Sequence, residues 1–156
     1  MFWICFILAV LADQATKYAV SANMQLGQSL PLLDGLVYAT YVLNKGAAFS
    51  ILQGQRWFFL VMTPAVIGLV LWNMRTIPKS DRLIQAALAL FCGGALGNFI
   101  DRLRFGAVTD FIDFRFFPVF NVADSCIVIG VILLCWRMLA GFKTSADKED
   151  TDFRAD

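Results

Sequence analysis

The sequence predicts an all-α integral membrane protein: four transmembrane helices, with a small β-rich surface element between helices 1 and 2. Three observations carry that prediction. The chain of 156 residues is 59% hydrophobic and only 16% charged, whereas soluble domains run at about 45–50% apolar and about 25% charged. Two runs, 57–74 and 83–100, contain no charged residue, and each would span ~27 Å as a helix against a hydrocarbon core of ~30 Å. The length admits four crossings at ~20 residues each with little left over. Residues 1–142 therefore read as a single membrane domain.

The elements follow in order. Residues 1–20 are apolar except for Asp13 and Lys17. The small residues around Ala12 resemble a cleavage site, but no basic stretch precedes Phe2-Trp3-Ile4, so a retained first helix is preferred over a signal peptide. Residues 21–55 form a mixed connection in which Leu36 to Leu43 (LVYATYVL) is β-branched and aromatic, after the turn pair Asp34-Gly35. Helices at 57–75 and 83–102 flank a polar turn in which Pro78 stops the first of them. A second connection, 103–118, carries Phe111, Phe114, Phe116 and Phe117, suited to an interfacial depth. Residues 121–140 make the fourth helix, and the polar tail 143–156 is expected to be disordered.

Four crossings put both termini and the 75–82 turn on one side, and both long connections on the other. Lys and Arg divide almost evenly between the sides. The compact basic turn Arg75, Lys79, Arg82 favours cytoplasmic termini, which makes the β-rich element extracytoplasmic.

Histidine is absent. That excludes a Ser-His-Asp triad, a Cys-His pair and a His-based zinc site, so acid–base chemistry falls to carboxylates, Lys, Tyr or Cys. No basic block supports nucleic-acid binding. Cys5, Cys92, Cys126 and Cys135 lie in apolar segments without metal-like spacing and read as core filling. No metal and no cofactor is expected.

The polar residues are not scattered. Asp13 and Lys17 close the first helix, Asn98, Asp101 and Arg102 the third, and Asn121 and Asp124 open the fourth. Because successive helices alternate in direction, all three groups reach the same side of the membrane. Asp13 and Lys17 share a face, and Gly94, Asn98, Asp101 and Arg102 form one stripe. Gly93 and Gly97 permit close helix approach. Ionisable groups in membrane segments are costly unless paired, so a functional site is the default reading of this cluster.

The carboxylates on this side are Asp13, Asp34, Asp101, Asp110, Asp113 and Asp124. Lys17, Arg102, Arg104 and Arg115 neighbour Asp13, Asp101 and Asp113 in sequence, and a nearby cation holds a carboxylate ionised. Asp34 suits a turn. Asp110 and Asp124 have no local basic partner and are the best pair for proton transfer, although Asn121 and Asp124 also fit the capping of a helix start. Two close carboxylates share one proton: one serves as general base on a water while the other polarises a scissile carbonyl. An ion-conducting transporter and a purely structural module are the alternatives. Transporters often carry internal repeats, and the two halves of this chain show none.

Five segments, DQATK (13–17), NKGAAFS (44–50), GGALGNFIDR (93–102), VTDFID (108–113) and FNVADS (120–125), together resemble the motif set of the lipoprotein signal peptidase (signal peptidase II) family. The resemblance implies an aspartic endopeptidase of the bacterial cytoplasmic (inner) membrane. Such an enzyme removes the signal peptide from a diacylglyceryl-modified prolipoprotein, cutting before the lipidated cysteine. It implies Asp110 and Asp124 as the catalytic dyad, the pair chosen above on other grounds. It also carries over Asp13, Lys17, Asn44, Gly94, Asn98, Arg102 and Asn121 as substrate-binding or supporting residues. Asn44 is expected to bond the extended substrate, helped by the small Gly46-Ala47-Ala48. Asn98 and Asn121 are expected to orient the dyad, and Arg102 to meet a lipid phosphate or brace the fold. The expected partners are the prolipoprotein and membrane lipid, with the enzyme a monomer.

Overall fold

The computed structural model describes residues 1–33, 35–46, 54–78 and 80–153, with side chains described as far as Ala140. The expectations placed on Asp34, Ala47, Ala48 and Lys79 lie outside the described residues. Four helices are long and apolar enough to cross a membrane: α1 (Phe2–Asn23), α2 (Arg56–Asn73), α3 (Arg82–Phe105) and the Val122–Ala140 part of α4 (Val122–Phe153). Each lies within a few residues of its predicted span. The backbone continues as helix to Phe153, where sequence reading expected a disordered tail from 143. No Gly or Pro follows Gly141 to break a helix already nucleated upstream.

α3 is the central helix and packs against all three others, most extensively against α4 and α1. Its small residues make this possible. A Cβ on Gly94 would run into the Ala123 carbonyl of α4, and one on Gly130 would lie 2.6 Å from the Ala87 carbonyl of α3. α3 begins with Asp81, whose side chain accepts from the Ile84 N–H and pairs at 3.0 Å with Arg137 of α4. It ends at Gly106, whose φ of 73° gives the left-handed C-cap that glycine adopts without strain.

Large apolar side chains face outward on α1, α2 and α4, among them Ile7, Leu11, Val61, Leu69, Val128 and Ile132. In water such a surface would aggregate; here it is the lipid-facing side. Exposed aromatics mark the ends of the span, with Trp3, Trp72 and Trp136 at one end and Tyr18 and Trp57 at the other.

The sheet has three antiparallel strands in the order β1 (Ser29–Leu33), β2 (Val37–Asn44), β3 (Val108–Asp113). The first two occupy the predicted β-rich element. The third comes from the α3–α4 connection, so the sheet is not confined to the region between helices 1 and 2. Two aspartates disguise β3 in the sequence, because Asp is depleted in strands. Here burial and cross-strand partners accommodate both. Asp113 accepts from the Thr40 hydroxyl at 2.6 Å and from the Arg115 N–H at 2.7 Å, and the Arg115 guanidinium lies 3.7 Å over the Tyr38 ring.

β3 then turns back on itself. The Phe111 and Ile112 N–H groups donate to the Phe120 carbonyl at 2.9 and 2.7 Å, and Phe120 N–H returns a bond to the Ile112 carbonyl at 3.1 Å. That bridge delivers the chain beside Asp110 at the point where α4 begins.

Candidate active site

α4 opens with a reciprocal cap. The Asn121 side-chain oxygen accepts from the Asp124 N–H at 2.9 Å, and Asp124 Oδ2 accepts from the Asn121 N–H at 3.2 Å. This is a capping box with Asp in the third helical position, so the capping expected of these two residues does occur. It leaves Asp124 Oδ1 free of the cap, and that oxygen accepts from Asn98 Nδ2 of α3 at 2.8 Å.

Asp110 is held in a similar way from the sheet. In the β2–β3 register Val42 faces Asp110 and Asn44 faces Val108, which sets Asn44 and Asp110 diagonally on one face. Asn44 Nδ2 donates to Asp110 Oδ2 at 3.0 Å, while Asn121 Nδ2 donates to Oδ1 at 2.6 Å. Asn121, fully buried, thus touches both aspartates. Burial pushes the Asp110 carboxyl up to about 6; the Asn44 and Asn121 hydrogen bonds oppose that rise, and the negative charge of Asp124 adds to it.

Behind the pair sits a charged cluster. Lys17 Nζ meets Asp13 Oδ2 at 3.0 Å, Asp101 Oδ2 at 3.1 Å and Asn98 Oδ1 at 2.9 Å. Three acceptors satisfy the three protons of an ammonium, which is what a buried lysine requires. Gln14 Nε2 lies within hydrogen-bond reach of Asp13, Asp101 and the Gly97 carbonyl. Asp101 also accepts from the Thr109 N–H at 3.0 Å, tying β3 to α3.

Asp110, Asp124, Asn44, Asn98 and Arg102 line one cavity of about 1000 Å³. Its other walls are mainly apolar and include Phe59, Phe120 and Ile127. Arg102 donates to the Gly46 carbonyl at 2.9 Å and stacks 4.2 Å from the Phe59 ring centroid, so its contacts brace the end of β2 against α2 and α3.

A profile of the family described as "Signal peptidase (SPase) II" matches residues 5–140. The chain belongs to the signal peptidase II family. A lipoprotein signal peptidase of Shouchella clausii is 46% identical over 140 residues, covering 89% of this chain and 93% of the relative. The lipoprotein signal peptidase of Bacillus subtilis is 44% identical over 143 residues, with 89% and 93% covered. A solved bacterial membrane enzyme superposes with a TM-score of 0.88 at 35% identity, covering 92% of this chain and 90% of that one.

Of the positions that the signal peptidase II motifs single out, the fold brings Asp13, Lys17, Asn44, Asn98, Asn121, Asp110 and Asp124 into one continuous hydrogen-bonded network. Arg102 stands beside it through the 3.5 Å approach of its Nη1 to the Asn98 carbonyl. Gly94 is placed differently: it lies in the α3–α4 contact against Ala123, not on the cavity wall. Sequence reading missed Gln14 and Thr109. Gln14 is uncharged and escapes a search for ionisable groups, and Thr109 acts through its backbone. Asp101, set aside as paired, is a member of the network through Lys17.

Proposed function

We propose that the chain is an aspartic endopeptidase that removes the signal peptide from diacylglyceryl-modified bacterial prolipoproteins, cutting before the lipidated cysteine. The observation that carries the chemistry is one residue, Asn121, whose side-chain NH₂ donates to the Asp110 carboxylate and whose backbone N–H donates to the Asp124 carboxylate, the two aspartates lining one largely apolar cavity. The pair holds one proton. Asp110, whose carboxyl is pushed up by burial, keeps it and donates it to the scissile carbonyl oxygen. Asp124, its partner, takes a proton from the attacking water. The water oxygen bonds to the carbonyl carbon, giving a tetrahedral diol. Its collapse breaks the C–N bond as the proton held by Asp124 passes to the leaving nitrogen and Asp110 takes back a diol hydroxyl proton, leaving the free acid and restoring the pair.

The rest of the site suits such a substrate. Asn44 ends β2, the middle strand, and lines the cavity beside Asp110, where an extended peptide can reach it. Val128 and Ile129 line the cavity while facing outward on α4, which offers acyl chains an apolar wall continuous with the bilayer. The enzyme acts as a monomer in the bacterial cytoplasmic (inner) membrane, with both termini cytoplasmic and the dyad near the extracytoplasmic face.

Purified protein in detergent, given a diacylglyceryl-modified prolipoprotein, tests the reading. Asp110→Asn and Asp124→Asn should each lower kcat by roughly 10²–10⁴, the usual contribution of a general acid or base. Either variant cleaving at the parent rate removes that residue from the chemistry.

A further inference from the structure

A helix leaves its first N–H groups without intrahelical partners, and an N-cap side chain from the same chain segment ordinarily satisfies one of them. α4 has its own cap, Asn121, bonded to the Asp124 N–H. The preceding N–H, that of Ala123, is taken by a residue 110 positions away in sequence: Asp13 Oδ1 of α1 accepts it at 2.9 Å. Asp13 is fully buried, and its second oxygen is occupied by Lys17 Nζ and Gln14 Nε2. Both carboxylate oxygens are thus committed, one to the cluster and one to the first turn of α4.

Room for this arrangement comes from α3. A Cβ on Gly97 would overlap Asp13 Oδ2 and lie 3.4 Å from the Ala123 Cβ. Gly97 therefore stands where the Asp13 side chain passes between α1 and α4.

We propose that Asp13 is a positioning residue for Asp124, acting as a second N-cap supplied in trans by α1, with Gly97 as the residue that admits it. Asp124 follows Ala123 directly, so fixing the Ala123 N–H fixes the turn from which the Asp124 carboxylate is aimed. Rate in such sites is sensitive to displacements of about 1 Å, whereas substrate contacts along β2 and the apolar wall do not run through this bond. The expected signature is a loss in kcat with KM unchanged. This inference rests on the dyad reading above, and Asp124→Asn serves as its reference.

The experiment is steady-state cleavage of a diacylglyceryl-modified prolipoprotein by parent, Asp13→Ala, Asp13→Asn and Gly97→Ala enzymes. Each is first checked for folding by size-exclusion and circular dichroism in detergent. Asp13→Ala, which has no oxygen to offer, should lose at least tenfold in kcat with KM within twofold of the parent. Asp13→Asn keeps an acceptor for the Ala123 N–H while turning its NH₂ toward the Lys17 and Gln14 donors, and should recover part of that loss. Gly97→Ala displaces the carboxylate without deleting it and should lower kcat at least fivefold, again at parent KM. Equal rates for the Ala and Asn variants, or a loss carried by KM, overturn the proposal. If Asp13→Ala fails to fold, Gly97→Ala decides, and parent kcat in that variant overturns it. Should Asp124→Asn prove fully active, the dyad reading falls and this inference with it. An inactive Asp124→Asn alongside unaffected Asp13 and Gly97 variants rejects the inference alone.

Discussion

Three amides face the aspartate pair, and each is oriented by a donor that its own oxygen accepts. Asn44 Oδ1 accepts from the Gly46 N–H at 2.9 Å, Asn98 Oδ1 from the Lys17 ammonium, and Asn121 Oδ1 from the Asp124 N–H. A reversed amide would set N–H against N–H, so the NH₂ ends must point at the carboxylates. Such donors favour the ionised acid. For Asp110 this works against burial, which has pushed its carboxyl up to about 6. Asn44→Ala removes one donor, so the proton is held more tightly and the carboxyl moves further up. In a pair with one proton, activity is lost on the alkaline side when that proton leaves. The pH profile of kcat/KM for Asn44→Ala should therefore show its alkaline limb displaced to higher pH than in the parent. Asp124, Lys17, Arg102 and Lys45, which lines the same cavity, are the charged groups nearby, and all remain. An unmoved limb would mean that Asn44 bonds substrate but does not tune the acid.

At the scale of elements, α3 and α4 meet where glycine replaces side chains, and the penalty for adding one is local. Gly94→Ala sets a Cβ against the Ala123 carbonyl and within 2.9 Å of Ile127 Cγ1, directly under the turn that carries Asp124. The helices must separate, at a cost typical of overpacking, about 1–3 kcal/mol. Gly68 of α2 has nothing within 4 Å of an added Cβ, and Ala there gains helix propensity of roughly 0.5–1 kcal/mol. Thermal unfolding in detergent should place Gly94→Ala several degrees below the parent and Gly68→Ala at or above it, with cleavage impaired only in the former. The helices themselves were legible in the sequence: charge-free runs set α2 and α3, and alternating direction was enough to bring Asp13, Asn98 and Asp124 to one end. β3 was not legible. Its strand character depends on β2 partners more than 60 residues away, such as Thr40 for Asp113, and no local pattern encodes a partner. Likewise, the capping role of Asn121 could be read from a four-residue spacing, but Asp13 reaching the same helix start could not. That contact exists only once α1 and α4 are packed.

For the whole molecule, the distribution of positive charge decides which end faces the cytoplasm. A bare count of Lys and Arg is nearly balanced, and exposed cations occur at both ends, Lys45, Arg104 and Arg115 at the sheet end and Arg75 and Arg82 at the other, so the short loop carries the argument. At the sheet end, Arg56 donates to the Leu103 carbonyl, Arg102 to the Gly46 carbonyl and Arg115 to Ser29 Oγ, while Lys17 is buried in its cluster. At the opposite end Arg75 is exposed, with its guanidinium resting 5.2 Å over the Trp72 ring at the interface. Positive charge that stays in the cytoplasm orients a membrane protein through short loops next to the helix ends, and the α2–α3 turn is such a loop. It should therefore be cytoplasmic, which puts the sheet, Asp110 and Asp124 outside. Exposed Gln25, between α1 and β1, and exposed Ser80, in the α2–α3 turn, mark the two ends. In a variant with Cys5, Cys92, Cys126 and Cys135 replaced, Gln25→Cys should react with a membrane-impermeant thiol reagent on intact spheroplasts. Ser80→Cys should react only after the membrane is opened. The reverse pattern would overturn this orientation.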